Sequence, residues 1–250
     1  MHLDDFVYTS TDFEDKRVLD AATGVGGATV RLAERLAEDG GKEILSVDID
    51  QEQDTVESIR EDLDEKASFV TFIEDDIHSL KKVESKSIDI VLCDDTIIFL
   101  NRPPLAVLRA IKAFHRVLRE GGELIIVSEL PDTPDASHTG EWRRWHLAKA
   151  LFELRGETFA ESIPPETLKE ALSCSGFIVK GEETSPGWMN TDYEHIIEEW
   201  EAIMHHEITL LPFEELKRPF REAVDRVKIQ VEEDGYLDAP GKYAIKCIKQ

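Results

Sequence analysis

Four aspartates near the start of the chain each come at the end of a short apolar segment, and a glycine-rich turn follows the first of them. The acids are Asp20, Asp48, Asp76 and Asp94, and the turn contains Gly24, Gly26 and Gly27. Glycine lets a backbone come close to a ligand, and the helix that begins after the turn presents unpaired N–H groups. These residue types in this order predict a cofactor site.

The spacing of the turn and the second acid narrows the kind of cofactor. Asp48 lies 22 residues after Gly26, close to the spacing of about 20 residues at which an acid binds ribose hydroxyls. The dinucleotide fingerprint requires a third glycine where this chain has Thr29, and a carboxylate at Asp20 would repel a pyrophosphate. Because a carboxylate there suits a cationic amino group, the residues favour S-adenosylmethionine over a dinucleotide.

Strand and helix patterns alternate five times along residues 1–130, which predicts an α/β fold with a doubly wound, mostly parallel sheet. Further predicted strands at 176–180 and 242–249 bring the sheet to seven. The five earlier strands are expected at 17–19, 43–47, 68–73, 87–93 and 123–128, and their helices at 27–39, 51–66 and from Pro103-Pro104 to 119. A further helix begins at Pro164-Pro165 and runs to Cys174.

Five segments of this half resemble, in order, the motifs of the class I S-adenosylmethionine-dependent methyltransferases. They begin at Asp20, Val47, Glu74, Ser87 and Arg116 and read DAATGVG, VDID, EDDIHSL, SIDIV and RVLREGG. Ala22 stands where many members have glycine, which is similar to the ubiquinone/menaquinone-biosynthesis branch. The resemblance implies a Rossmann-like enzyme that uses S-adenosylmethionine and releases S-adenosyl-L-homocysteine.

The resemblance also implies roles for individual positions. Asp20 and the backbone at Ala22, Thr23, Gly24 and Gly26 would hold the methionine part of the cofactor. Asp48 would accept both ribose hydroxyls, and Ile49 would lie against the adenine. Asp76 and the Ile77 backbone would meet the adenine edge, and Asp94 would lie near the amino group and the departing methyl. Asp95 and Thr96 are close enough in sequence to share that last role.

Composition limits the partners. The formal net charge is −24, with 53 acidic and 29 basic residues, so most of the surface would repel nucleic acid. The sequence has no signal peptide pattern and no membrane-spanning apolar run. Its cysteines, Cys93, Cys174 and Cys247, lack metal-site spacing and are expected to be reduced core residues of a cytoplasmic protein that binds no metal.

The acceptor side is expected from two helical segments, 131–163 and 182–241, in a chain interpreted as one methyltransferase domain over 1–250 with its cofactor-binding half at 1–130. Helices are predicted near 192–206 and 213–228. Trp142, Trp145 and His146 share one helix face at i, i+3 and i+4 spacing. Trp145 and His146 are the catalytic candidates, with His138 in the preceding loop as a further one; the alternative is a helix that only packs against the sheet.

The sequence therefore predicts a methyltransferase that acts on a small molecule. The 182–241 segment would be a lid over the acceptor or the interface of a homodimer. Two alternatives remain: an aminopropyltransferase of related fold, and a non-catalytic S-adenosylmethionine-binding module that regulates or partners another protein. The adjacent pair His205-His206 is not expected to share a metal, because neighbouring residues diverge on a helix.

Overall fold

Strands and helices alternate through the first half of the chain, as the hydrophobic patterns predict. The computed structural model describes residues 2–100, 105–131 and 139–250. The strands are β1 (Arg17–Ala21), β2 (Glu43–Asp48), β3 (Val70–Glu74), β4 (Ile88–Asp94), β5 (Leu118–Glu129), β6 (Phe177–Ser185), β7 (Trp188–Asn190), β8 (Leu237–Ala239) and β9 (Lys242–Lys249). The helices are α1 (Gly27–Asp39), α2 (Gln53–Leu63), α3 (Ile97–Leu100), α4 (Ala106–Val117), α5 (Gly140–Leu154), α6 (Pro165–Cys174), α7 (Glu194–Thr209) and α8 (Glu214–Asp234).

The chain divides into two compact units. The first comprises Met1–Leu130, Glu161–Ser185 and Lys242–Gln250, and the second comprises Pro131–Ala160 and Pro186–Gly241. The later segment of the second unit, Pro186–Gly241, begins directly after β6, and β6 runs five residues beyond the predicted sixth strand.

One seven-stranded sheet organises the first unit, in the order β3-β2-β1-β4-β5-β9-β6. The first five strands in this order, β3, β2, β1, β4 and β5, are parallel. Strand β9 is antiparallel to both of its neighbours, β5 and β6. Strand order reverses between β1 and β4, the point at which a doubly wound sheet opens a crevice for a ligand. The predicted mostly parallel, seven-stranded Rossmann-like sheet is confirmed.

Apolar side chains cover both faces of this sheet. Val18 and Leu19 are successive residues of β1, yet Val18 packs with Leu32 of α1 and Leu19 packs with Phe114 of α4, in separate buried clusters. Successive strand residues point to opposite faces, so α1 and α2 cover one face while α4 and α6 cover the other. Burial on both faces explains the nearly continuous apolar strands.

The junction of α4 and β5 differs from the prediction. The helix ends at Val117 rather than Arg119, and β5 already begins at Leu118. Residues 120–122, which lie between the predicted helix and the predicted strand, instead form an irregularity within β5, where Ile88 pairs with Leu118 but Ile90 pairs with Glu123. Gly121 supplies the left-handed backbone (φ 73°) that this irregularity requires. The predicted helix start at Pro103-Pro104 lies outside the described residues.

A short helical segment, Asp5–Thr9, packs on the sheet before β1. Lys246 of β9 holds its end by donating hydrogen bonds to the hydroxyls of Ser10 and Thr11, and the ammonium lies 5.1 Å from the Phe6 ring centroid. The segment was not predicted, because five residues are too short to show a helical period.

Helices α5, α7 and α8 build the core of the second unit. Leu151, Trp200, Met204 and Val227 lie in one buried cluster there. The antiparallel pair β7–β8 joins Trp188 to Ala239, and this small ribbon was not predicted because three-residue strands carry too little alternation to recognise.

Two of the three cysteines lie in the buried core. Cys93 and Cys247 are buried as expected, but the prediction for Cys174 is wrong, since it is exposed at the end of α6. Its place in an apolar segment was misleading, because the buried face of α6 is carried by Leu168 and Leu172. No helix in the described ranges is both long and apolar enough to cross a membrane.

Candidate active site

The turn between β1 and α1 is held in a conformation that favours glycine. Ala22, Gly24 and Gly26 have φ values of 78°, 50° and 88°. The backbone N–H groups of Ala22 and Thr23 both donate to the Val47 carbonyl, at 2.8 and 3.0 Å, which ties the turn to the end of β2. Gly26 precedes the first residue of α1, and no side chain caps that helix start.

Gly24 and Gly26 serve different purposes. A Cβ added to Gly26 would lie 2.5 Å from Cγ1 of Ile59, a buried residue of α2. A Cβ added to Gly24 would meet no described atom within 4 Å. Gly26 therefore allows α2 to pack closely against the turn, whereas Gly24 lines open space.

Asp20 is buried completely at the end of β1. Its Oδ2 accepts a hydrogen bond from the Thr29 hydroxyl, and Ser46 Oγ lies 3.4 Å away. Ser46 in turn bonds Thr23 Oγ1 at 2.7 Å. The other oxygen, Oδ1, is buried without a hydrogen-bond partner among the described residues.

Burial raises the pKa of Asp20 to about 7, because desolvation disfavours the charged form. The hydrogen bond from Thr29 opposes the shift, and the nearby Asp94 and Asp48 charges add to it. Asp20 is therefore a carboxyl group that a bound cation would convert to its ionised form.

Asp48 lies at the end of β2 and faces the glycine turn. Its Oδ2 accepts from the Gly24 N–H at 2.9 Å, and its Oδ1 accepts from the Asp50 N–H at 3.2 Å. The next side chain, Ile49, is 68% exposed. The second predicted acid is thus joined directly to the predicted turn, beside an uncovered apolar surface.

Asp76 follows β3 and binds His78. Asp76 Oδ1 accepts from the His78 backbone N–H at 2.8 Å and from its Nδ1 at 2.7 Å. Burial opposes ionisation of Asp76, but these two hydrogen bonds outweigh it and lower the pKa of the carboxyl. The Ile77 side chain is buried in the sheet core, which leaves its backbone as the part available to a ligand.

Asp94 ends β4 and forms an ion pair with Arg31 of α1 at 3.2 Å. Burial, and then the Asp95 charge, raise the pKa of Asp94, and Arg31 opposes them. Arg31 also binds Asp4 at 3.2 Å and lies 4.9 Å from the Tyr8 ring centroid. The Tyr8 hydroxyl is buried, and no described residue is bonded to it.

Asp95 has a left-handed backbone (φ 48°) and forms an ion pair with Lys242 at the start of β9. Its Oδ1 is buried and has no hydrogen-bond partner in the described ranges. Thr96 donates instead to the Asp94 carbonyl, at 2.8 Å. Of the three neighbours left open by the sequence, Asp94 and Asp95 present carboxylates, whereas the Thr96 hydroxyl is used locally.

Sequence reasoning missed Tyr8, Arg31 and Lys242, which surround the predicted acids. Arg31 lies 63 residues before Asp94, and Lys242 lies 147 residues after Asp95. In the sequence each of them is only a cationic or aromatic residue. Its neighbours in space become known once the order of the strands in the sheet is known.

The acceptor candidates lie in the second unit, on α5. The rings of Trp142 and His146 stack with centroids 3.8 Å apart, and Trp145 meets Phe159 edge-on at 4.8 Å. His146 Nδ1 lies 2.9 Å from the Trp142 carbonyl, an acceptor to which Nδ1 must donate. Nε2 is then the ring nitrogen that can accept a proton. His138 lies outside the described residues.

Three side chains of the second unit bring ligand-type atoms within 4.8 Å of one another: Glu201, His205 and Asp225. Glu201 already binds the Lys228 ammonium at 2.7 Å, and that charge competes with a metal ion for the carboxylate. We assign no metal to this group.

The chain is similar to known methyltransferases in sequence and in fold. A family described as "Methyltransferase domain" matches residues 12–173. None of the curated proteins gives a significant match.

Solved structures of similar fold cover nearly all of the chain. A candidate methyltransferase from Bacillus halodurans has a TM-score of 0.63 at 17% identity, covering 99% of this chain and 98% of that one. A candidate sarcosine dimethylglycine methyltransferase from Galdieria sulphuraria has a TM-score of 0.55 at 15% identity, covering 98% and 83%. A candidate methyltransferase from Haloferax volcanii, solved with the Trm112 methyltransferase activator, has a TM-score of 0.58 at 16% identity, covering 99% and 89%.

Proposed function

The chain belongs to the methyltransferase-domain family, and we propose that it transfers the methyl group of S-adenosylmethionine to a small molecule. The enzyme class and the cofactor follow from the family. The acceptor and the residues that bind each part of the cofactor are our proposal, and so is the likeness of the first motif to the ubiquinone/menaquinone branch.

The observation that carries the proposed binding mode is that Oδ1 of Asp20 has no hydrogen-bond partner among the described residues. A buried carboxylate oxygen without a partner is costly unless a ligand or water satisfies it. It lies beside a glycine turn where Gly24 leaves open space, and the exposed Ile49 side chain offers an apolar surface. These features fit a ligand with a cationic amino group, a ribose and a flat base.

The proposed roles follow from the chemistry of these groups. Asp20 and Asp94 hold the amino group, Asp48 accepts the ribose hydroxyls, and Ile49 packs on the adenine. Asp76 and the Ile77 backbone meet the adenine edge, while the turn backbone from Ala22 through Thr23 and Gly24 to Gly26 lies along the methionine part. Asp95 remains an alternative to Asp94.

When bound, S-adenosylmethionine supplies an electrophilic methyl group on a sulfonium. The chain then contributes mainly position, because aligned reactants can supply several kcal/mol, on the order of 7–11 at the upper end. A general base is needed only if the acceptor must lose a proton. His146 is the proposed base, with Nε2 as the atom that accepts the proton, and Trp145 is the proposed aromatic wall for the acceptor.

A small-molecule acceptor is supported by charge. A chain with 53 acidic and 29 basic residues would repel nucleic acid over most of its surface. The Galdieria neighbour is described as a candidate sarcosine dimethylglycine methyltransferase, a name that denotes small-molecule acceptors. The free thiols of Cys93 and Cys247 support a cytoplasmic location as part of the same proposal.

A homodimer through the 182–241 segment also remains a proposal. Large apolar side chains are exposed there, including Trp188, Met189 and Ile203, as expected of an interface. A monomeric mass by light scattering would contradict it. Because the chain belongs to the methyltransferase family, the aminopropyltransferase alternative loses its support. A methylation screen distinguishes an active methyltransferase from the non-catalytic alternative.

Calorimetric titration tests the cofactor site. We expect S-adenosylmethionine to bind and NAD not to bind. Asp48→Ala should weaken binding by about 1–3 kcal/mol, because two hydroxyl hydrogen bonds are lost. Asp50→Ala is the matched control, since Asp50 is an exposed acid two residues away. Equal affinity for both variants would remove Asp48 from the site.

A methylation screen with small acceptors tests the acceptor side. His146→Ala should lower kcat by about 10²–10⁴-fold if the ring removes a proton, while the affinity for S-adenosylmethionine stays unchanged. Trp145→Ala should raise KM more than it lowers kcat. An active enzyme that neither substitution affects would move the acceptor site away from α5, and binding without any turnover would favour the non-catalytic module.

A further inference from the structure

A groove on the first unit collects positive charge in a strongly acidic chain. Its volume is about 650 Å³, and its lining includes the cationic residues Lys86, Arg109, Lys112, Arg116 and Lys249. Glu120 is the acidic residue among the lining side chains, and it forms ion pairs with Lys86 at 2.9 Å and with Lys249 at 3.5 Å. The whole chain carries a net charge of −24, so this local excess of cations is opposite in sign to the charge of the chain as a whole.

The floor of the groove is rigid. Lys249 is only 5% exposed, and its ammonium donates to the Leu118 carbonyl at 2.8 Å. The Arg116 guanidinium donates to the carbonyls of Ser79, Leu80 and Val83, at 2.6–3.2 Å, and to Ser85 Oγ. All four acceptors of Arg116 are neutral, so they fix the position of the guanidinium without cancelling its charge. A cation held in this way loses little freedom when an anion binds.

The rim of the groove adds cations that form no recorded ion pair with a described carboxylate. Arg109, Lys112 and Arg116 lie at i, i+3 and i+7 on α4, so they share one face of the helix. Among the described residues, neither Arg109 nor Lys112 is recorded in an ion pair, whereas Lys86 and Arg119 pair with Glu120 and Asp89. Like charges at this spacing repel one another, and a bound anion would relieve that repulsion.

Two histidines complete the lining. His115 is held against Phe177, with ring centroids 5.3 Å apart, and a Cβ on Gly176 would lie 2.9 Å from His115 Nε2. His78 places Nδ1 on Asp76, and its Nε2 is buried without a described partner. Both rings add donors or acceptors to the cationic lining.

We propose that this groove binds a small molecule that carries two or more phosphate groups. Five cations against the one carboxylate of Glu120, which pairs with Lys86 and Lys249, leave more positive charge than one phosphate needs. Lys and Arg are the side chains that bind phosphate oxygens. The volume is in the range of small-molecule sites. A long polyanion would be repelled by the acidic surface outside the groove, so the ligand is compact.

Calorimetry with inorganic pyrophosphate at constant ionic strength tests the proposal without any cofactor or turnover, so its outcome is independent of the proposed methyl transfer. We expect one site per chain, and weaker binding of monophosphate and sulfate. Arg109→Gln/Lys112→Gln should weaken pyrophosphate binding by at least about tenfold, because two charge-assisted contacts are lost. Both residues are exposed, and circular dichroism checks that the variant is folded.

The matched control is Arg221→Gln/Arg226→Gln, which removes two exposed arginines of α8 in the second unit. It should leave pyrophosphate binding unchanged. The proposal is overturned if the wild-type chain does not bind pyrophosphate, if the control loses as much affinity as the groove variant, or if sulfate binds as tightly as pyrophosphate.

Discussion

Substituting Gly26 by alanine should lower the free energy of unfolding of the first unit more than the same substitution at Gly24 does. Both glycines have a left-handed backbone, which costs a residue with a Cβ about 1–2 kcal/mol. At Gly26 the new Cβ would also lie 2.5 Å from Ile59. Ile59 is 2% exposed and branched at Cβ, so it has little room to move.

The expected cost follows from these two contributions. Overpacking a filled core costs about 1–3 kcal/mol, so Gly26→Ala should lower the free energy of unfolding by about 2–5 kcal/mol in total. Gly24→Ala has only the backbone cost, about 1–2 kcal/mol. Since its Cβ would enter the open space of the proposed cofactor site, Gly24→Ala should instead weaken S-adenosylmethionine binding.

Urea unfolding without cofactor measures the difference. All four tryptophans, Trp142, Trp145, Trp188 and Trp200, lie in the second unit, so fluorescence follows that unit while far-ultraviolet circular dichroism follows the whole chain. Gly26→Ala should shift the circular dichroism transition. In an Ile59→Ala background its cost should shrink by the packing contribution, about 1–3 kcal/mol. Equal costs for the two glycine variants, or no coupling to Ile59, would refute the reasoning.

Two other perturbations have defined outcomes. Ala22→Gly should raise the free energy of unfolding by up to about 1 kcal/mol, because relief of the left-handed strain exceeds the added entropy of the unfolded chain; urea unfolding would show it, and a loss of stability would contradict it. Asp20→Asn should remove a pH dependence. The pKa of Asp20 is raised to about 7 in the folded protein from about 3.9 in the unfolded chain. Between these two values the folded state holds a proton that the unfolded state has lost. The free energy of unfolding of the wild type should therefore fall by up to about 4 kcal/mol as the pH rises from 4 to 7. The difference in unfolding free energy between wild type and variant across that range measures the contribution, and a constant difference would contradict it.

Much of the first unit could be predicted because its strands are buried on both faces and read as short apolar runs. The end of each such strand marks the sheet edge, which is why Asp20 and Asp48 could be selected and why Asp48 is joined to the glycine turn. The α4–β5 junction could not be placed, because Leu118 and Arg119 continue the helical pattern and only the pairing with β4 makes them strand.

The partners of the site could not be predicted for a different reason. Arg31 reads as an ordinary exposed residue of an amphipathic helix, and its ion pairs with Asp4 and Asp94 exist only once α1 lies beside β4. The Cys174 error has the same origin, because an apolar segment does not reveal which side of a helix faces the core.

The position of β9 bears on how the chain folds during synthesis. This strand fills the gap between β5 and β6, although the ribosome makes it after the entire second unit. Until then β5 and β6 each have a free edge, and unpaired edges invite association with other chains. Completion of the sheet is thus a late, long-range event, and a nascent chain stalled before Lys242 should depend on a chaperone to remain unaggregated.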